Sequence, residues 1–276
     1  MRVIRVGQCC LLALLAISAF AAASASAASP YEVRSLPEAG RCVKVAKGTG
    51  FYAGGACVTK ALPEKGTWEW VQANATEKLT FSGTGAESTL TTVGRPTIKC
   101  VAANISGEYT GPKTASVTIE FQACVNSNGQ QCQTLSNPNN KSELKMTGEG
   151  KLGFIRNEVR EGKKIIAVGM DLQPQTPVTP LLAYECGNPL ETSKIEGSVI
   201  AKVTPINKMT TVNNLLFFVR KSGEQLPEKF ENEPKDTLTT TFQKELEEPV
   251  TSATTLSIKE EKGSNASPVE ILGKQR

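Results

Sequence analysis

A chain of 276 residues with no histidine cannot assemble a Ser-His-Asp triad, a Cys-His dyad, a His-ligated metal site or an imidazole pH switch. Its 31 basic and 27 acidic residues give a net charge of +4, and aromatic residues make up only 5% of the chain. A balance so near neutral leaves no electrostatic footprint for nucleic acid or for an anionic membrane surface.

The first 30 residues, MRVIRVGQCCLLALLAISAFAAASASAASP, carry Arg2 and Arg5, then an apolar run over residues 9–23, then small residues. Ala25-Ser26-Ala27 and Ser26-Ala27-Ala28 both satisfy the small-x-small rule for signal peptidase, so the sequence predicts a secretory signal peptide over residues 1–28. The run is too short for a membrane span of about 20 residues, and no later stretch is apolar enough to insert stably. The expected location is extracellular or associated with the cell envelope. Cleavage removes Arg2, Arg5, Cys9 and Cys10, leaving 29 basic against 27 acidic residues and six cysteines. An even cysteine count in an exported chain reads as disulfides.

Early in the mature chain lies RCVKVAKGTGFYAGGACVTK, residues 41–60. Its glycines suggest a phosphate cradle, but no Gly-Lys-Ser or Gly-Lys-Thr follows, and no strand-loop-helix context surrounds it. The stretch reads better as a hairpin stapled by Cys42 and Cys57, with Gly54-Gly55 as a bulge. Such a loop is worth about 3 kcal/mol in the chain-entropy model. Sequence proximity then pairs Cys124 with Cys132 and leaves Cys100 with Cys186 as the long-range tie.

Short Thr-, Val-, Ile- and Phe-rich runs follow, separated by Gly, Pro, Asn and Ser. They are WEWVQ, KLTFSG, STLTTV, TIKCVA and TASVTIEFQAC, then ELKMTG, KLGFIRN, KIIAVGMDL, LLAYECG, KIEGSVIAKVT, NLLFFVRKS, DTLTTTF and TTLSIKE. In TASVTIEFQAC, Val117, Ile119 and Phe121 alternate with Thr118, Glu120 and Gln122, one face for a core and one for water. The expected fold is all-β, an antiparallel sandwich or barrel-like domain over residues 29–276. VNSNGQQCQTLSNPNN (residues 125–140) reads as a surface loop. The Pro-containing segment 223–236 sets off a C-terminal part, from about residue 223, that could be loosely attached.

Catalytic routes are few. Aspartate occurs only at Asp171 and Asp236, which removes an aspartic-protease motif and an EF-hand calcium loop. Neither a metal nor a cofactor is expected. A glycosidase needs two carboxylates about 5 to 9.5 Å apart. Glu69, Glu120 and Glu185 are the candidates, because each interrupts an apolar strand pattern. Trp68 and Trp70 share one strand face; they serve either as a stacking platform for a sugar ring or as core anchors.

RCVKVAKGTGFYAGGAC, TWEWV, TIKC, GEYTG, GSVIAKVTPINKM and PEKFENEPKDTL, in this order over most of the mature chain, resemble a group of secreted proteins from soil actinobacteria. No activity or site is attached to that group, so the resemblance implies export and a single architectural unit and nothing about chemistry. The expectation is a non-enzymatic β-protein that binds a cell-wall glycan or a surface protein. A glycoside hydrolase acting through two glutamates is the alternative.

Overall fold

The computed structural model describes residues 35–136, 139, 141–187, 191–234 and 238–275. The segment read as a signal peptide lies outside them. Among the described residues there is no helix, and every strand pairing is antiparallel.

Strands β1 (Glu38–Lys44) and β2 (Trp68–Gln72) flank the Gly-rich stretch, and β3 (Leu79–Gly85), β4 (Ser88–Thr92) and β5 (Ile98–Cys100) follow. Next come β6 (Ala102–Tyr109), β7 (Thr114–Gln122), the short β8 (Val125–Asn126) and β9 (Cys132–Thr134). The runs ELKMTG and KLGFIRN merge into one strand, β10 (Leu144–Arg160), which pairs with β11 (Lys163–Gln173) through a bulge between Phe154 and Arg156. β12 (Leu182–Cys186), β13 (Glu191–Glu196) and β14 (Val199–Thr204) precede β15 (Thr210–Val212), β16 (Asn214–Leu216), β17 (Phe218–Val219) and β18 (Gln225–Leu226). β19 (Lys229–Phe230), β20 (Glu233–Pro234), β21 (Thr239–Lys244), β22 (Val250–Ile258) and β23 (Lys262–Leu272) complete the chain.

The strands form two large sheets. The first has eleven strands along the path β16-β14-β11-β10-β7-β6-β3-β23-β1-β2, with β15 paired to β23. Residues 210–216 bend so that β16 pairs β14 while β15 pairs β23, which curls this sheet into a nearly closed barrel. Alternation fills it: Phe81, Ile105, Tyr109, Val117, Ile119, Met146 and Met170 are all buried. The Phe81 and Tyr109 rings sit 5.2 Å apart, and a side chain at Gly107 would place its Cβ 2.2 Å from the Phe81 ring. The barrel is therefore a packed core and offers no channel. Among its buried polar contacts, Asn213 Nδ2 donates to the Tyr109 hydroxyl at 3.1 Å. Burial pushes the Tyr109 phenol well above its ordinary range, so it stays neutral.

The second sheet has eight strands in the order β8-β5-β4-β22-β21-β13-β12-β9. Its end strands meet at the 126–131 turn, where Val125 bridges Gln131 and the Cys132 amide donates to the Cys124 carbonyl at 3.0 Å. Both sheets contribute to one continuous hydrophobic cluster.

Two of the expected disulfides exchange partners. Cys42–Cys57 forms, but the others are Cys100–Cys124 and Cys132–Cys186. Pairing the nearest cysteines ignored register: Cys132 stands directly opposite Cys186 across β9 and β12. The stapled stretch is not a regular hairpin either. Gly50 and Gly66 touch backbone to backbone, and a Cβ on Gly66 would lie 1.8 Å from the Gly50 carbonyl oxygen, so glycine is required there.

The C-terminal part is woven in. β23 pairs β3 through residues 262–265 and β1 through residues 270–272, while β21 and β22 sit within the second sheet.

Candidate functional site

The turn Gly94-Arg95-Pro96 carries one wall of the site. Gly94 takes a positive φ of 73°, which lets the chain reverse between β4 and β5 and sends Arg95 across the mouth of the second sheet. There Arg95 Nη1 donates to Glu191 Oε1 at 3.1 Å, and its guanidinium lies over the Phe242 ring, 4.1 Å from the centroid. Arg95 and Glu191 keep 26% and 29% of their side-chain exposure, enough to leave both reachable from solvent. Stacking on Phe242 fixes the guanidinium plane and limits its rotamers.

The opposite wall is the turn between β8 and β9. Asn126 Oδ1 accepts the Asn128 and Gln130 amides, each at 3.0 Å, and its Nδ2 donates to Gln130 Oε1 at 2.8 Å. An asparagine bonding to the backbone two and four residues on holds the turn without any strand ladder. Both stems of this turn are clamped by disulfides, Cys124 to β5 and Cys132 to β12.

The floor is polar. Tyr184 is buried and its hydroxyl bonds to Ser193 and Thr240. Burial pushes its pKa up to about 12, so it remains a neutral donor and acceptor. Below it, Thr92, Thr240 and Thr254 form a buried hydroxyl cluster, with contacts of 2.6 Å for Thr240–Thr254 and 2.9 Å for Thr92–Thr254. The walls and floor enclose a cavity of about 190 Å³. It combines one ion pair, aromatic edges, a serine hydroxyl and three primary amides, those of Asn126, Asn128 and Gln130. Among the described residues lining it, Glu191 is the one carboxylate and Arg95 neutralises it. The arrangement can hydrogen-bond a polyol; it has no paired acid and base.

The candidates named from sequence lie elsewhere and apart from one another. Glu69 Oε2 accepts the Phe51 amide at 2.8 Å beside the Cys42–Cys57 loop. Glu120 pairs with Lys145 at 2.8 Å on the outer face of β7 and β10. Glu185 lies on the face of β12 opposite Tyr184, where Gln133 Nε2 donates to its Oε1 at 2.7 Å. Trp70 is buried, with its Nε1 donating to Glu270 Oε2 at 3.1 Å, and Trp68 packs over Gly55. Both indoles anchor the small cluster around Cys57 and Leu272 and do not form an open platform.

Arg95, Tyr184, Ser193, Glu191 and Phe242 escaped sequence reasoning. The one local signal was Arg95 itself, a lone cation between Gly94 and Pro96, a pair that forces a turn.

Among the described residues, no group of three or more metal-ligating side chains could hold an ion, and no helix is long and apolar enough to cross a membrane. No family model matches this chain, and no match is found among curated proteins or among solved structures.

Proposed function

We propose that this chain is a secreted or envelope-associated, non-enzymatic β-protein that binds one saccharide unit of a cell-wall or surface glycan at the mouth of the second sheet. One observation carries the reading: a cavity of about 190 Å³ whose polar groups are neutral or mutually neutralised and come from three strands and two turns. A sugar ring offers vicinal hydroxyls to the Glu191 carboxylate and the Arg95 guanidinium, and a C–H face to Phe242 or Tyr184. Three disulfides are compatible with an oxidising location. Membership of the secreted actinobacterial group that the sequence resembles is part of the same proposal.

What weighs against the hydrolase alternative is the separate engagement of Glu69, Glu120 and Glu185 by Phe51, Lys145 and Gln133. A retaining or inverting mechanism needs two carboxylates facing one glycosidic bond.

The test is a glycan array probed with oxidised protein, followed by calorimetric titration of the best-bound monosaccharide. Binding that disappears in both Arg95→Ala and Phe242→Ala supports the assignment. Binding indifferent to both, or turnover of chromogenic glycosides, removes it.

A further inference from the structure

A second cleft, of about 500 Å³, lies against β4 and β22. Thr91, Val93, Ala253 and Thr255 alternate with the inward Thr92 and Thr254, so they face out of the second sheet and make its floor. Val93 is 68% exposed, a large apolar surface left to solvent. The wall is the segment around β18, held to β22 by Gln225, whose Oε1 accepts the Leu256 amide at 2.7 Å and whose Nε2 donates to the Leu256 carbonyl at 3.1 Å. The side-chain amide thus stands in for a strand along an open stretch of β22, because β21 pairs β22 only from Val250 to Ala253.

The rim is charged. Glu224 and Glu228 both bond Arg220 Nη1, Glu224 at 3.1 Å, so two carboxylates share one guanidinium. Arg220 and Ser222 hold the Glu224 carboxyl below the usual carboxylate range, so it stays ionised. Two carboxylates on one guanidinium leave the rim one net negative charge, and beside a floor of Val93, Ala253 and threonine methyls it complements a chain that pairs one cation with apolar flanks.

We propose that this cleft docks an extended segment of a partner protein presenting a lysine or arginine between apolar residues. The side chain's ammonium or guanidinium meets Glu224 and Glu228, and its neighbours cover Val93 and Ala253. Because the cleft opens on the outer face of β4 and β22, the interaction is independent of the saccharide reading.

Short linear peptides displayed on phage and selected against the full oxidised chain provide the test. The expected winners carry a basic residue flanked by apolar ones. A synthetic peptide of that sequence should bind roughly tenfold more weakly to the combined variant Glu224→Gln, Glu228→Gln, lose affinity with added salt, and bind Arg95→Ala unchanged. Both glutamates are exposed, so neither substitution threatens the fold. Three results each overturn the proposal. They are selection that yields no binder or none with a basic residue, a peptide indifferent to the double variant, and concentration-dependent self-association that the double variant abolishes.

Discussion

Cys132 and Cys186 face each other across β9 and β12, and their bond ties the turn bearing Asn128 and Gln130 to the strand bearing Tyr184. The two sides of the cavity are therefore covalently one object. Closing 54 residues is worth about 4 kcal/mol in the chain-entropy model. Cys132→Ser with Cys186→Ser should lower unfolding free energy by about that much in urea. It should also abolish saccharide binding at temperatures where the variant is still folded. Non-reducing peptide mapping should recover Cys100–Cys124 and Cys132–Cys186.

Glu261 gives a pH dependence of defined sign. Burial pushes its pKa up to about 7, opposed by the Phe217 amide that donates to Oε1 at 2.7 Å. A carboxyl raised on folding contributes stability that is complete below its unfolded pKa near 4.5 and is lost as pH rises through about 7. Glu261→Gln keeps the acceptor for Phe217 and removes the charge. Its melting temperature should equal the parent's near pH 4 and exceed it near pH 8. Glu261 is only partly buried, so solvent screening holds the gain to about 1 kcal/mol, a rise of about 2–4 °C. A variant less stable than the parent near pH 8 would contradict this.

Tyr109→Phe removes the acceptor for Asn213 Nδ2 inside the barrel. An orphaned buried amide costs about 1–3 kcal/mol. Replacing Asn213 by Leu in the same chain should recover part of that loss, and chemical denaturation of the two variants and their double mutant measures the coupling.

Gln225→Ala should release the Leu256 amide, whose hydrogen exchange then accelerates relative to that of residues 239–243 in β21. The stability cost should be about 1 kcal/mol, as for a single net hydrogen bond. An unchanged exchange rate at Leu256 would show that the side-chain amide is dispensable.

Strand content was legible wherever one face is apolar. In β7 the burial of Ala115, Val117, Ile119 and Phe121 follows the sequence alternation residue by residue. β23 was not legible, because KGSNASPVEIL hides its inward positions in polar residues. Asn265 and Glu270 are buried, and their partners, Thr210 and Trp70, are distant in sequence. The run NLLFFVRKS reads as a single strand, yet it divides: β16 closes the barrel and β17 pairs with β18. A bend forced by closure leaves no mark in hydrophobic periodicity. The site was hidden for a related reason. Arg95 and Glu191 lie 96 residues apart, and only the ring order of the second sheet makes them neighbours.

The position of β23 reaches beyond packing. Its hydrogen bonds link β3, β1 and β15, so the barrel wall lacks its joining stave until residues 262–272 arrive. A chain still being made holds those strand edges open until residues 262–272 have joined them. Such a topology makes closure of the barrel wall wait on β23, however early β3 and β1 have formed.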